Sequence, residues 1–261
     1  MRSAHDYLPL ATVLAQQFAV HVIDRRGRGA SGPQGADYTI DKECEDLLAV
    51  QAGTGATRVF GHSYGGLVVL ETARRAPVFT HIAVYEPGVS VAGSIPTGWI
   101  SRYRALLAAG DQRGAFAVFV QQSGHAPGPA ARMPLWYLRA ILRMVIRNRQ
   151  WQHMAPLLAA NAMEHEQVRA LDDTVTHYAA LEARVLLLGG SDSPRPATMA
   201  SLDTPPTKSC SGLGQRSPGQ GTNAGAGWPR ELLFIGVKPT GSGVESVWGQ
   251  ITPTLSRLLD V

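Results

Sequence analysis

The sequence of 261 residues is 44% hydrophobic and 17% charged, enough apolar content to bury a core, which excludes a chain disordered throughout. Its net charge of +4 comes from arginines scattered beside acidic residues such as Glu43, Glu45, Asp46 and Glu71; this reads as a solvated surface, and no nucleic-acid partner is expected. Cys44 and Cys210 stand far apart with no CxxC, which argues against a disulfide framework or a metal site, and no apolar run is long enough to span a membrane. The expectation is a cytoplasmic protein with no membrane partner.

In chain order, residues 7–18 carry apolar positions at helical spacing, and 19–24 (AVHVID) read as a short buried strand. The glycine- and arginine-rich stretch 25–33 is a loop. A helix is expected over 40–52, with Asp41 as a candidate cap, then a strand over 57–60, a helix over 65–75 and a strand over 81–85. This alternation predicts an α/β chain with a mostly parallel sheet and helices on both faces. From Trp99 to Leu171 only helical periodicity is visible, and the strand pattern returns at 184–188 (RVLLL). Residues 203–230 are crowded with Gly, Pro, Ser and Thr and read as a loop or disordered stretch. A last strand over 231–237 and a last helix over 246–259 close the chain. The organisation expected is a core over 1–95, a helical cap insertion over 96–175, and the C-terminal part of the core over 176–261.

The strongest motif is Gly61-His62-Ser63-Tyr64-Gly65-Gly66, G-x-S-x-G between an expected strand and an expected helix. Such a serine sits on a very tight, strained turn. The small residues at 61 and 65 avoid collision across it. The helix that follows directs its N-terminal amides at the reaction site, where they favour developing negative charge. The competing reading is a plain glycine-rich turn.

Over most of residues 5–195 the chain resembles the α/β-hydrolase superfamily. The elbow carries the resemblance, together with Asp24-Arg25-Arg26-Gly27-Arg28-Gly29-Ala30-Ser31, similar to the family's D-x-R-G-x-G-x-S loop, and Val84-Tyr85-Glu86-Pro87. The resemblance implies the α/β-hydrolase fold with a helical cap. It implies Ser63 as nucleophile, the backbone N–H of Tyr64 as an oxyanion donor, and an acid followed by a histidine further along the chain. Asp192, after RVLLL, fits the acid; its plainer reading is a turn aspartate before Ser-Pro, and Glu86 is the runner-up. No cofactor and no metal are implied.

No histidine follows Asp192. Pro218-Gly219-Gln220-Gly221-Thr222 is similar to the family's Pro-Gly-x-x-His turn, with Thr222 in the histidine's place. His125, His153, His165 and His177 are the alternatives, and no spacing selects one. The family's first strands and His-Gly loop have no counterpart ahead of Tyr7, which predicts an exposed sheet edge. Trp99, Met133, Trp136, Tyr137, Met144, Trp151, Met154 and Met163 suit either helix packing or an adaptable apolar pocket.

Two functions follow from these residues: a serine hydrolase acting on an ester or related acyl bond of a small apolar substrate, or a catalytically inactive relative that lost its base. A dinucleotide-binding reading of Gly27-Arg28-Gly29-Ala30-Ser31-Gly32 fails, because no helix is expected after it. The oligomeric state is not encoded in any of these patterns.

Overall fold

The computed structural model of the chain describes residues 4–123 and 128–189, and the backbone of 231–235. Among the described residues, five strands form one wholly parallel sheet: β1 (Ala19–Val22), β2 (Arg58–His62), β3 (His81–Tyr85), β4 (Arg184–Leu188) and β5 (Glu231–Ile235). Their spatial order is β1-β5-β2-β3-β4. Strand β5, late in the sequence, is therefore an inner strand. Ala19 pairs with Glu231 on one side of it and Gly61 with Ile235 on the other. The place between β1 and β2 is thus filled from the C-terminal region.

Period-2 alternation sorts the strand residues into two cores, because successive side chains point to opposite faces. Val59, Ile82, Val84 and Leu187 join one core with Leu47 of α2 (Ile40–Thr54) and Val68 of α3 (Tyr64–Arg75). Phe60, Ala83, Tyr85 and Leu186 join the other with Leu10 and Leu14 of α1 (Leu8–Leu14) and with Tyr7 and Phe18 beside it. Helices thus cover both faces, as expected.

Between β3 and β4 lie, among the described residues, six consecutive α-helices: α4 (Ile100–Ala108), α5 (Gln112–Gln122), α6 (Gly128–Arg132), α7 (Leu135–Val145), α8 (Asn148–Met154) and α9 (Leu158–Ala170). They enclose a third core around Trp99, Ile100, Tyr103, Phe116 and Leu158. Asp111 caps α5, its carboxylate accepting from the Gly114 N–H at 3.0 Å. The two connections to the sheet are clamped together: Asp173 accepts from the Ala92 N–H at 2.6 Å, Asp172 accepts from the Gly93 N–H at 3.0 Å, and the Asp173 N–H donates to the Ser90 carbonyl at 3.0 Å.

Several local expectations are corrected. Asp41 does not cap α2. It lies inside the first turn and pairs with Arg75, while Thr39 takes the cap position in extended conformation and the Ile40 N–H donates to Gln167 Oε1 at 3.1 Å. Glu43 and Glu71, expected on a solvated surface, are buried. Cys44 packs in the core as a small apolar residue, and burial pushes its thiol up. Cys210 and the helix expected over 246–259 lie outside the described residues.

Candidate active site

Ser63 stands between the last residue of β2 and the first of α3, at φ 54° and ψ −126°. This left-handed value is a strained conformation for a residue with a Cβ, and surrounding contacts must hold it. Four backbone hydrogen bonds do so. The Ser63 N–H donates to the Tyr85 carbonyl at 2.9 Å, and the Ser63 carbonyl accepts from Gly66 at 2.8 Å, Leu67 at 3.3 Å and Gly88 at 2.9 Å. The serine is thereby tied to α3 ahead of it and to the β3 exit beside it.

The turn closes only because two glycines meet inside it. A Cβ on Gly61 would stand 2.7 Å from the Gly66 Cα and 2.8 Å from the Gly65 carbonyl oxygen. One on Gly66 would stand 3.0 Å from Pro87. Sequence reading paired position 61 with 65; the closest backbone partner of Gly61 is Gly66. Tyr64 opens α3, so its backbone N–H has no carbonyl one turn back within the helix.

The Tyr64 side chain points into a buried polar cluster that links the sheet loops to α9. Its hydroxyl lies 2.8 Å from that of Tyr38, which in turn lies 2.8 Å from Glu43 Oε1. With one proton to give, Tyr38 donates to the carboxylate and accepts from Tyr64. The Arg25 guanidinium sits over the Tyr64 ring at 5.0 Å and bridges two carboxylates, Glu43 at 2.8 Å and Glu164 at 2.9 Å. Arg28 also bonds Glu164. Burial alone would raise Glu164, yet the adjacent Arg25 and Arg28 charges hold it down at about 2. Burial raises Glu43 despite Arg25, and pushes both tyrosines up.

The loop 24–32 is a scaffold. The Asp24 carboxylate accepts from the Ala4 N–H at 2.6 Å and the Ala30 N–H at 3.1 Å, and Ser31 Oγ donates to the Asp24 carbonyl at 2.6 Å. Gly29, at φ 52°, leaves room for that carboxylate, since a Cβ would overlap it at 2.0 Å.

These motifs sit in a doubly covered parallel sheet with a strained Ser63 at the strand-to-helix turn. The alpha/beta hydrolase family model matches residues 2–230. The chain belongs to the alpha/beta hydrolase family. Among solved structures, it resembles an alpha/beta hydrolase from Sphaerobacter thermophilus at 23% identity and a TM-score of 0.68, over 96% of this chain and 87% of that one. It also resembles the 2-hydroxy-6-oxo-6-phenylhexa-2,4-dienoate hydrolase of a Rhodococcus strain at 15% identity, TM-score 0.58, over 100% and 86% of the two chains. A third similar structure is the N-formylmaleamic acid deformylase of Pseudomonas putida, at 22% identity, TM-score 0.53, over 79% and 78%. These likenesses carry the fold.

Of the residues singled out from the sequence, Ser63, Tyr64 and Glu86 stand together at the C-terminal edge of the sheet. Glu86, at φ 44°, leaves β3 with its N–H donating to the Leu188 carbonyl at 2.9 Å. Burial and the Glu86 charge raise the Tyr85 phenol to about 12. Asp192, Thr222 and His125 lie outside the described residues. His62 is buried, its Nδ1 3.3 Å from the Tyr7 hydroxyl and its ring edge-on to Tyr85 at 5.3 Å. His165 lies 2.8 Å through Nδ1 from the Asn161 carbonyl and packs edge-on to Trp99 and Phe119. His153 and His177 are exposed. A cavity of about 420 Å³ lined by Ala73, Phe79, His81, Leu181 and Arg184 opens at the other end of the strands, where β3 and β4 begin, and is not part of this site.

Sequence reading missed the cluster of Tyr38, Arg25, Glu43 and Glu164 behind the elbow. One signal was available: Ile40, Glu43, Cys44 and Leu47 recur at helical spacing, which places Glu43 on the buried stripe of α2.

Proposed function

We propose that the chain is a hydrolase of an ester or related acyl bond, with Ser63 as the attacking nucleophile. The observation that carries this reading is the backbone of Ser63, held at φ 54° between a buried strand and the N-terminus of α3. In this reading Ser63 Oγ attacks the acyl carbon and the proton passes to a base. The oxyanion then collects against the Tyr64 N–H and the positive end of α3. Asp192 serves as the acid that orients the base, and the six helices between β3 and β4 act as a cap over a small apolar substrate. The test is hydrolysis of short-chain p-nitrophenyl esters by the purified chain. Ser63→Ala is expected to lower kcat at least about a thousandfold, and Asp192→Asn to lower it by a smaller factor. Equal rates in Ser63→Ala and the parent would remove Ser63 from the role.

A second reading is a hydrolase-like shell without chemistry. One observation favours it: His62, buried beside the elbow, and His165, half-buried on α9, are engaged in packed aromatic contacts. Without a base the serine hydroxyl is a poor nucleophile near neutral pH. The ester assay separates the two readings.

A further inference from the structure

The inner side of α7 is ordinary: Leu138 is buried, and Leu135 and Leu142 pack against the third core. Its outer side is not. Trp136 is 73% exposed, Met144 79%, Val145 66% and Tyr137 46%. Trp136, Ala140 and Met144 are spaced four apart, so they form one ridge along the helix, with Tyr137 beside it. A contiguous exposed apolar ridge points to an interaction surface.

Charge indicates what it docks on. Residues 112–163 contain no aspartate or glutamate. Arg139 and Arg143 flank the ridge on α7, and Arg132, Arg147 and Arg149 stand exposed at its two ends. Of these, Arg139 is shared with Asp111 at 2.6 Å, on a partly exposed pair that neutralises little of the field. A second copy seated on the ridge by a two-fold axis would bring the same arginines against one another. Residues 190–230 offer no acidic complement, holding Asp192 and Asp203 against Arg195, Lys208, Arg216 and Arg230. Nucleic acid would use the arginines but leave Met144 and Val145 without a role.

We propose that the outward face of α7 docks the protein on an anionic lipid surface, with Trp136 and Met144 entering the headgroup–acyl boundary and the surrounding arginines meeting lipid phosphates. A helix with an apolar aromatic ridge and flanking arginines lies in a bilayer interface. This surface docking is independent of a membrane-spanning segment, and no helix among the described residues is long and apolar enough to cross a membrane.

The test is co-sedimentation of the full chain with vesicles of phosphatidylcholine alone and of phosphatidylcholine mixed with phosphatidylglycerol. Recovery with the mixed vesicles, little with phosphatidylcholine alone, and loss at high salt are expected. Trp136→Ser combined with Met144→Ser should lower the partition about tenfold or more. Arg139→Gln combined with Arg143→Gln should lower it by about fivefold per arginine. All four side chains are exposed, so each variant keeps the far-ultraviolet circular dichroism of the parent. Absence of binding to the mixed vesicles would overturn the proposal. So would binding that the serine pair leaves unchanged, a lipid-free dimer that the serine pair dissolves, or retention of an oligonucleotide that the glutamine pair alone abolishes.

Discussion

At the residue scale, the site depends on side chains that are missing as much as on those present. Gly61 has no room for a methyl group, with backbone atoms 2.7 and 2.8 Å from where one would stand. Gly61→Ala is therefore expected to destabilise by about 2–3 kcal/mol, seen as a lower midpoint in urea with an unchanged slope. Glu164 is the counter-charge for two buried arginines. Glu164→Gln takes the carboxylate from Arg28 and leaves Arg25 with Glu43 alone, and should cost about 3–5 kcal/mol. The pH dependence of that loss has a definite sign. Glu164 titrates near 2 in the folded protein, below the ordinary value of 4.5, so its contribution is complete above pH 4.5 and fades as pH falls towards 2. The stability gap between the parent and Glu164→Gln should narrow across that window, measured by denaturant titration at stepped pH. A gap constant from pH 6 to 2 would contradict this assignment.

At the element scale, the helical segment between β3 and β4 has a core of its own and a clamp at its base. Trp99 anchors that core at 1% exposure, packed edge-on to Tyr103, Phe119 and His165. Trp99→Ala should cost about 3–5 kcal/mol in global stability. The strands, the helices that follow them and the elbow were legible from the sequence, because period-2 and helical spacing report burial directly. Ser63 was legible because its glycines are local consequences of one tight turn. The salt-bridge cluster behind Tyr64 was not, since Arg25 and Glu164 are 139 positions apart and neither carries a local pattern. The residues read as either helix packing or an apolar pocket divide. Trp99, Trp151 and Met154 belong to the core of the segment, while Trp136 and Met144 face outward. Helical periodicity marks an apolar face without saying what covers it.

At the scale of the whole molecule, the sheet is completed by a strand from the far end of the chain. Strand β5 pairs with both β1 and β2, so it bridges the N-terminal unit to the strand that carries the elbow. Ending the chain at residue 230 should leave two open inner edges and yield aggregated protein, measured as loss of the monodisperse peak in size-exclusion chromatography. The position of β5 escaped sequence reading because apolarity identifies a strand but not its neighbours. The elbow turn and the N-terminus of α3 meet at Ser63, and the proposed function rests on the reactivity of its hydroxyl. The most direct measurement is reaction of the folded chain with a fluorophosphonate probe, followed by tandem mass spectrometry. A covalent adduct on Ser63, absent from Ser63→Ala, is the predicted result. A folded parent protein that takes no label at Ser63 would contradict the account and leave a hydrolase-like shell without the chemistry.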